Sequence, residues 1–302
     1  MPAHPETAVL DLMRRVWADG NERHDRTGVG TRALFGAMLR FDLSDGTVPL
    51  LTTKRVFWKS AARELLWFLS GDTNIRPLLA EGVHIWTDWP LDRYRRETGE
   101  AIQRDAFEAR ILESESFASR WGDLGPVYGK QWRRWLGPDG QVHDQIATLL
   151  DSLRNNPASR RHIFTGWNVA ELGQMALPPC HMTYQYFVEQ REGAPGRLSG
   201  MLYQRSCDLG LGFPFNIFEA ALLLRMLADQ TGLLPGELVW VGADVHLYLN
   251  HAHLVETQLS RTPRPFPRLA LKPAADLFSY AIEDIIVDGY DPHPPIAAPV
   301  AV

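Results

Sequence analysis

Three consecutive stretches decide the fold: Leu198-Ser-Gly-Met-Leu-Tyr203, Gln204-Arg-Ser-Cys-Asp-Leu-Gly-Leu-Gly-Phe-Pro-Phe-Asn216, and the apolar run from Ile217 to Gln230. The first reads as a strand and the last as a long helix closed by Gly232. The middle stretch is bent by two glycines and a proline, and it gathers a guanidinium (Arg205), a hydroxyl (Ser206), a carboxylate (Asp208) and an amide (Asn216). Upstream, Leu177-Pro-Pro-Cys-His181 sets a cysteine directly after two prolines, which keep the backbone stiff and extended. A sulfur nucleophile and an arginine able to activate it are what covalent catalysis on an anionic substrate requires.

Working outward, His162–Trp167 and Met182–Val188 read as further strands, Leu238–Val241 as a short strand and Ala252–Leu259 as a helix. Phe278–Val287 reads as a last strand before a proline-rich tail. On the N-terminal side, Val9, Leu12, Met13, Val16 and Trp17 recur at helical spacing up to Gly20. Asp25–Gly30 reads as a loop, Ala33–Phe41 as a strand, and Lys59–Leu69 as a helix with Glu64 set among apolar residues. Residues 91–120 hold many charges and no sustained apolar face, so a solvated surface insertion is expected there. With no repeat and no long linker, the expectation is a single mixed α/β (α+β) domain over 1–302, a large mixed β-sheet covered by helices.

Composition narrows the class. The 302 residues are 45% hydrophobic and 22% charged, as in ordinary globular proteins. Two cysteines, Cys180 and Cys207, make no disulfide framework and point to a reducing, cytoplasmic compartment. Met1–Glu6 has neither the basic nor the apolar stretch of a signal peptide, and no apolar run approaches the ~20 residues of a membrane span. A net charge of −5 argues against nucleic-acid binding but not against a small anion met by local arginines.

The motifs together resemble thymidylate synthase of the folate-dependent, cysteine-using type. The resemblance rests on Asp25-Arg-Thr-Gly28, Glu64-Leu-Leu-Trp-Phe-Leu69 with Gly71-Asp-Thr-Asn74, Gly122–Trp132, Arg160-Arg161, Trp167-Asn168 and Cys180-His181. It continues through Arg205–Asp208, Pro214-Phe-Asn216, His246-Leu-Tyr248 and the tails Tyr290–Pro294 and Ala298–Val302. It covers nearly the whole chain apart from the charged insertion. It implies a methyltransferase of dTMP biosynthesis: dUMP becomes dTMP, with 5,10-methylenetetrahydrofolate as cosubstrate and no metal. It also implies a homodimer formed through a sheet face.

The residues suit that chemistry. Uracil C5 is a poor nucleophile until something adds at C6, and a thiolate is the softest candidate in the side-chain set. A free thiol, with a pKa of about 8.5, is only a few per cent ionised at pH 7, and a nearby arginine lowers that pKa. Cys180 is therefore the expected nucleophile and Arg205 its activating cation; Cys207 reads as a small packed residue. Addition at C6 moves charge to O4, and Asn216 can donate to O4 while accepting from N3–H, which reads uracil rather than cytosine. Its alternative reading is a helix N-cap before Ile217. Glu64, if buried, should have a raised pKa suited to relaying protons.

The resemblance implies Tyr128 near C5, with His181 and Asn168 in the supporting polar network. Arg26, Arg160, Arg161, Arg205 and Ser206 are the implied phosphate ligands, with Arg160 and Arg161 reaching in from the partner subunit. His246 and Tyr248, two apart on one face if extended, are expected at the deoxyribose 3′-hydroxyl. Asp208, Trp86, Trp89, Lys54 and the C-terminal Val302 are the implied folate contacts. The chain departs from the family at Phe57, where histidine is common, and at Gly210, which replaces a bulkier residue.

The alternative within the superfamily is a deoxyuridylate or deoxycytidylate hydroxymethylase, in which water replaces hydride; Asn216 disfavours the cytosine version and the C-terminal tail favours hydride. A zinc site on His246, His251 and His253 has no familiar ligand spacing. A Cys-His protease is poorly served by adjacent residues, because His181 cannot easily set a ring nitrogen on the neighbouring sulfur. A non-enzymatic nucleotide- or RNA-binding module would have no use for thiol, carboxylate, tyrosine and amide together.

Overall fold

Alternating burial from Thr31 onward and the predominantly apolar, mostly buried stretch of residues 213–231 set the two dominant elements, a long strand and a buried helix. The computed structural model describes residues 4–24 and 28–299. In chain order the elements are α1 (Pro5–Asp19), β1 (Asn21–Arg23), β2 (Thr31–Asp42), α2 (Trp58–Ser70), α3 (Arg76–Ala80), α4 (Asp88–Thr98), α5 (Arg104–Glu113), α6 (Glu115–Trp121) and α7 (Tyr128–Arg133). A short hairpin, β3 (Trp135–Leu136) and β4 (Val142–His143), precedes α8 (Gln145–Asn155) and β5 (Ile163–Thr165). Then come β6 (His181–Arg191), β7 (Ala194–Asp208), α9 (Phe213–Thr231), β8 (Leu234–Tyr248), α10 (Ala252–Leu259), β9 (Arg268–Leu271) and β10 (Ile285–Asp288).

The chain divides into two compact units, Met1–Ala61 with Leu150–Ile163 and Cys180–Val302, and Ala62–Leu149 with Phe164–Pro179. The first is built on a mixed sheet in the order β1-β2-β8-β7-β6-β5. β1–β2, β2–β8 and β6–β7 pair antiparallel, and β7–β8 pair parallel. Parallel neighbours need a crossover, and α9 supplies it. One sheet face packs on α1 and α9. On the other, register sets Thr183, Tyr203, Val241 and Met38 in one row and Gln185, Met201, Val239 and Arg40 in the next. Phe187 on that face is 65% exposed, with Met38, Met201 and Tyr203 also exposed.

Two strands differ from expectation. β8 is fifteen residues long instead of the short Leu238–Val241, because Pro235, Gly236, Asp244 and His246 interrupt the apolar pattern without interrupting the ladder. Of the expected Phe278–Val287 strand only Ile285–Val287 forms, within β10, which runs one residue further to Asp288. Asp276 takes the Phe278 amide at 2.8 Å and the Ser279 hydroxyl at 2.7 Å, and Asp284 takes the Ala281 amide at 3.0 Å, so these side chains turn the backbone away from a ladder.

The second unit is helical apart from short strands. Residues 91–120 form most of α4, all of α5 and all but the last residue of α6, around a buried aromatic cluster that Trp121 completes. Tyr94 meets Phe107 at 5.6 Å, Phe117 at 5.4 Å and Trp121 at 4.9 Å between ring centroids. No sustained apolar face shows in this stretch because each short helix contributes only one or two rings. Among the described residues no helix is long and apolar enough to cross a membrane.

Candidate active site

In the first unit, β-register brings the two sequence runs together. Antiparallel pairing sets His181 opposite Gln204, and the Arg205 amide donates to the Cys180 carbonyl at 3.0 Å. That ladder carries the Arg205 guanidinium to Cys180, with Nη2 3.9 Å from Sγ. Cys180 is half-buried, whereas Cys207 is fully buried on the same strand as Arg205. Burial pushes the Cys207 thiol well above its ordinary value, with neighbouring Asp208, Cys180 and Asp244 adding to the shift. Of the two thiols, only Cys180 has both access and a cation.

His181 is buried, and desolvation lowers its pKa to about 4 against a hydrogen bond with Asn216 that acts to raise it. The buried Glu219 carboxyl lies 3.8 Å from its Nδ1. The ring is therefore neutral near pH 7, which leaves Arg205 to supply positive charge at the sulfur.

Asn216 lies in the first turn of α9, and the helix starts earlier than expected, at Phe213, because Pro214 is tolerated in its first turn. It is thus not the N-cap. Its orientation is fixed by two residues the sequence did not single out, Gln204 and Trp240. An indole nitrogen can only donate. Trp240 Nε1 donates to Gln204 Oε1 at 2.8 Å, so Gln204 Nε2 faces Asn216 and donates to its Oδ1 at 2.8 Å. This fixes the Asn216 carbonyl oxygen as the acceptor from Gln204 and its amide nitrogen as a donor, with His181 as a second hydrogen-bond partner of the side chain. Gly242 makes room for this arrangement: a Cβ there would stand 2.2 Å from the Trp240 ring.

At the ends of the parallel pair, register sets Asp208 beside His246 and Ser206 beside Asp244. Asp208 Oδ1 accepts from the Gly210 and Leu211 amides at 2.8 and 3.2 Å. Lys54 is buried, with Nζ donating to the Gly210 carbonyl; burial lowers its pKa to about 8, partly offset by Asp208. A Cβ at Gly210 would stand 3.0 Å from His251 Nδ1, a tight contact that a bulkier residue would have to relieve by a small shift of that ring. His246 and Tyr248 both lie on β8, rings 5.4 Å apart, and His246 Nδ1 sits 3.1 Å from Asp244 Oδ1. Arg160 and Arg161 are exposed on the loop before β5. Phe57 is 61% exposed. Among the described residues no three His, Cys, Asp or Glu side chains form a metal-sized group, His246, His251 and His253 included. Arg26 and Val302 lie outside the described residues.

The second unit holds the other predicted residues. Glu64, on the buried face of α2, accepts from Trp86 Nε1 at 2.5 Å. Trp86 packs against Trp89 at 5.2 Å and Tyr128 at 6.2 Å, and Tyr128 lies 4.6 Å from Phe68. Trp86 is nearly buried, while Trp89 is half-buried. Asn168 donates to Gln131 Oε1 at 3.2 Å and to Glu171 Oε2 at 3.0 Å. Burial acts to raise the Glu171 pKa, but hydrogen bonds from Gln131, Lys130 and Asn168 outweigh it and hold the carboxyl below its ordinary value. Lys130, Gln131 and Glu171 are further members of this network that sequence reasoning did not name.

A family model described as thymidylate synthase matches residues 7–302. The chain is 67% identical to a thymidylate synthase of Rhizorhabdus wittichii, over all of both chains. It is 64% identical to one of Cereibacter sphaeroides, covering 99% of this chain and all of the relative. It is 62% identical to one of Sphingopyxis alaskensis, covering 99% and 98%. At one end of the sheet a thiol stands beside a guanidinium, with an oriented amide on the same unit. The chain belongs to the thymidylate synthase family.

Proposed function

We propose that this chain carries out the reductive methylation of dUMP to dTMP, taking carbon and hydride from 5,10-methylenetetrahydrofolate and releasing dihydrofolate. The observation that carries the reading is Arg205 Nη2 lying 3.9 Å from Cys180 Sγ, with Asn216 oriented by Gln204 and Trp240. Arg205 holds Cys180 as a thiolate, and Cys180 adds to uracil C6. Asn216 donates to the developing charge on O4 and accepts from N3–H, and His181 supports it as a neutral partner. Glu64 relays protons around O4 and C5, Tyr128 serves at C5 proton removal, and Asn168 supports the polar network. That one family model spans residues 7–302 supports reading 1–302 as one functional domain, with 91–120 an insertion within it.

Arg26, Arg160, Arg161, Arg205 and Ser206 bind the phosphate, and His246 and Tyr248 bind the 3′-hydroxyl. On the folate side, Asp208 accepts from the pterin, Trp86 and Trp89 supply flat apolar surface, and Val302 closes over the ligands to exclude water. Lys54, committed to the Gly210 carbonyl, acts on the folate by holding the Asp208 turn rather than by reaching into solvent. The exposed apolar rows of the sheet fit a homodimer interface, and the exposed Arg160 and Arg161 are free to serve the partner's phosphate site. No metal is assigned. The reading places the enzyme in the cytoplasm.

Tritium release from 5-³H-dUMP together with dihydrofolate formation at 340 nm tests the reaction. Both are expected in step; proton release without dihydrofolate would instead establish the hydroxymethylase. Mixing inactive Cys180→Ala with inactive Arg161→Ala tests the dimer. One intact site per heterodimer should restore activity, whereas no restoration would place Arg161 in its own subunit's site.

A further inference from the structure

The insertion, the one sequence feature the proposed function does not use, is tied by side chains to the turn that carries Trp86. Glu108, on the second turn of α5, is a buried carboxylate. Its Oε2 lies 2.9 Å from His84 Nδ1, and its Oε1 accepts from the fully buried Thr87 hydroxyl at 2.6 Å. Arg104, one helical turn earlier, donates to the same Oε1 at 3.3 Å and to the His84 carbonyl at 2.6 Å. Three of these bonds grip the chain on both sides of Trp86, and the Arg104–Glu108 bond ties the two gripping side chains together. The Trp86 indole N–H in turn rests on Glu64 at 2.5 Å. A turn has no ladder to fix it, and a buried carboxylate is retained only where hydrogen bonds meet it. The aromatic cluster of Tyr94, Phe107, Phe117 and Trp121 makes α5 a rigid base for this grip.

We propose that Glu108, assisted by Arg104, is a positioning residue of the reaction: it fixes the His84–Thr87 turn so that Trp86 holds Glu64 in place. The role of Glu64 in this statement rests on the synthase reading, whereas the mechanical link from Glu108 to the Trp86–Glu64 bond does not.

The test uses full-length protein labelled with ¹⁵N at the indole, the Trp86 Nε1–H signal being identified by its loss in Trp86→Phe. In Glu108→Ala that signal should move or broaden, and kcat should fall about tenfold, as misplacement of a reacting group implies. The Kd for dUMP alone should stay within about twofold. Glu108→Gln, which keeps an acceptor for Thr87 but not the charge facing Arg104, should fall between Ala and wild type, and it carries the test if Ala does not fold. Glu97→Ala, exposed on the same insertion, should change neither readout. Adding Glu108→Ala to Trp86→Phe should cost less than twofold beyond Trp86→Phe alone. An unmoved Trp86 signal in the Glu108 variants, or effects that multiply with Trp86→Phe, would overturn the proposal. The indole signal needs no turnover, so absence of dTMP formation would count against the synthase reading and leave this link separately judged.

Discussion

The sheet end that carries Cys180 and the turn that carries Trp86 are held by different forces. At the sheet end, backbone ladders set the spacing: His181 faces Gln204, Asp208 faces His246, and Cys180 meets Arg205 because β6 and β7 pair in one register. A slip of one residue would send every side chain to the opposite face. At the turn, local backbone bonds such as Thr87 N to the His84 carbonyl at 3.2 Å are joined by long-range side-chain bonds, a carboxylate and a guanidinium on α5 holding His84 and Thr87. The first arrangement gives all-or-none chemistry at a few atoms, and the second gives graded control through chains of contacts.

The largest expected break in that contrast is Asn216→Asp on the sheet side. An ionised carboxylate cannot donate to uracil O4 but can accept from a cytosine amino group, so kcat/KM for dUMP should fall about 10³-fold while dCMP turnover becomes measurable. Steady-state rates with both nucleotides check this. Gln204→Leu should come next, about 10–100-fold in kcat, because it frees the Asn216 amide to flip and leaves the Trp240 indole without its acceptor. The same change should cost about 1–3 kcal/mol of stability, read by urea unfolding. On the turn side, Trp86→Phe keeps the apolar wall and removes the bond to Glu64. It should lower kcat about tenfold with little change in dUMP affinity.

The last effect is on stability rather than on rate, and it depends on pH. His181 has its folded pKa at about 4, below the 6.5 of an exposed imidazole. Between those values the unfolded chain binds a proton that the folded chain refuses. The stability this residue contributes is therefore full above about pH 6.5 and is lost as pH falls towards 4, at up to about 1.4 kcal/mol per pH unit. His181→Asn should flatten that part of the unfolding profile; a profile as steep as wild type would assign the acid sensitivity elsewhere.

The contrast also explains what could be read from the chain alone. The sheet-side residues all lie just outside the elements expected from the sequence. Cys180, Arg205 and Asp208 fall beyond the expected strands, Asn216 one residue before the expected helix, and His246 and Tyr248 past Leu238–Val241. Asp208, His246 and Tyr248 could be named only through the family resemblance. Gln204 escaped notice although it belongs to the same run, because its importance lies in an indole thirty-six residues later, and a lone glutamine or tryptophan carries no signal of pairing. Residues 91–120 looked solvated because α4, α5 and α6 each bury so little alone, and Glu108 finds its partners more than twenty residues upstream. Lys54 was expected to contact the folate, and only the folded chain brings the Gly210 carbonyl to it. Period and spacing report local structure; side-chain bonds between distant segments leave no such trace.

The central claim is that Cys180 is the sulfur that adds to the pyrimidine. Incubation of the enzyme with 5-fluoro-dUMP and 5,10-methylenetetrahydrofolate should trap a covalent adduct, because fluorine at C5 cannot leave as a cation. Peptide mass spectrometry should place the added nucleotide and folate on Cys180 and find none in Cys180→Ala. A stable adduct on Cys207, or none on either cysteine under conditions of turnover with dUMP, would contradict the account.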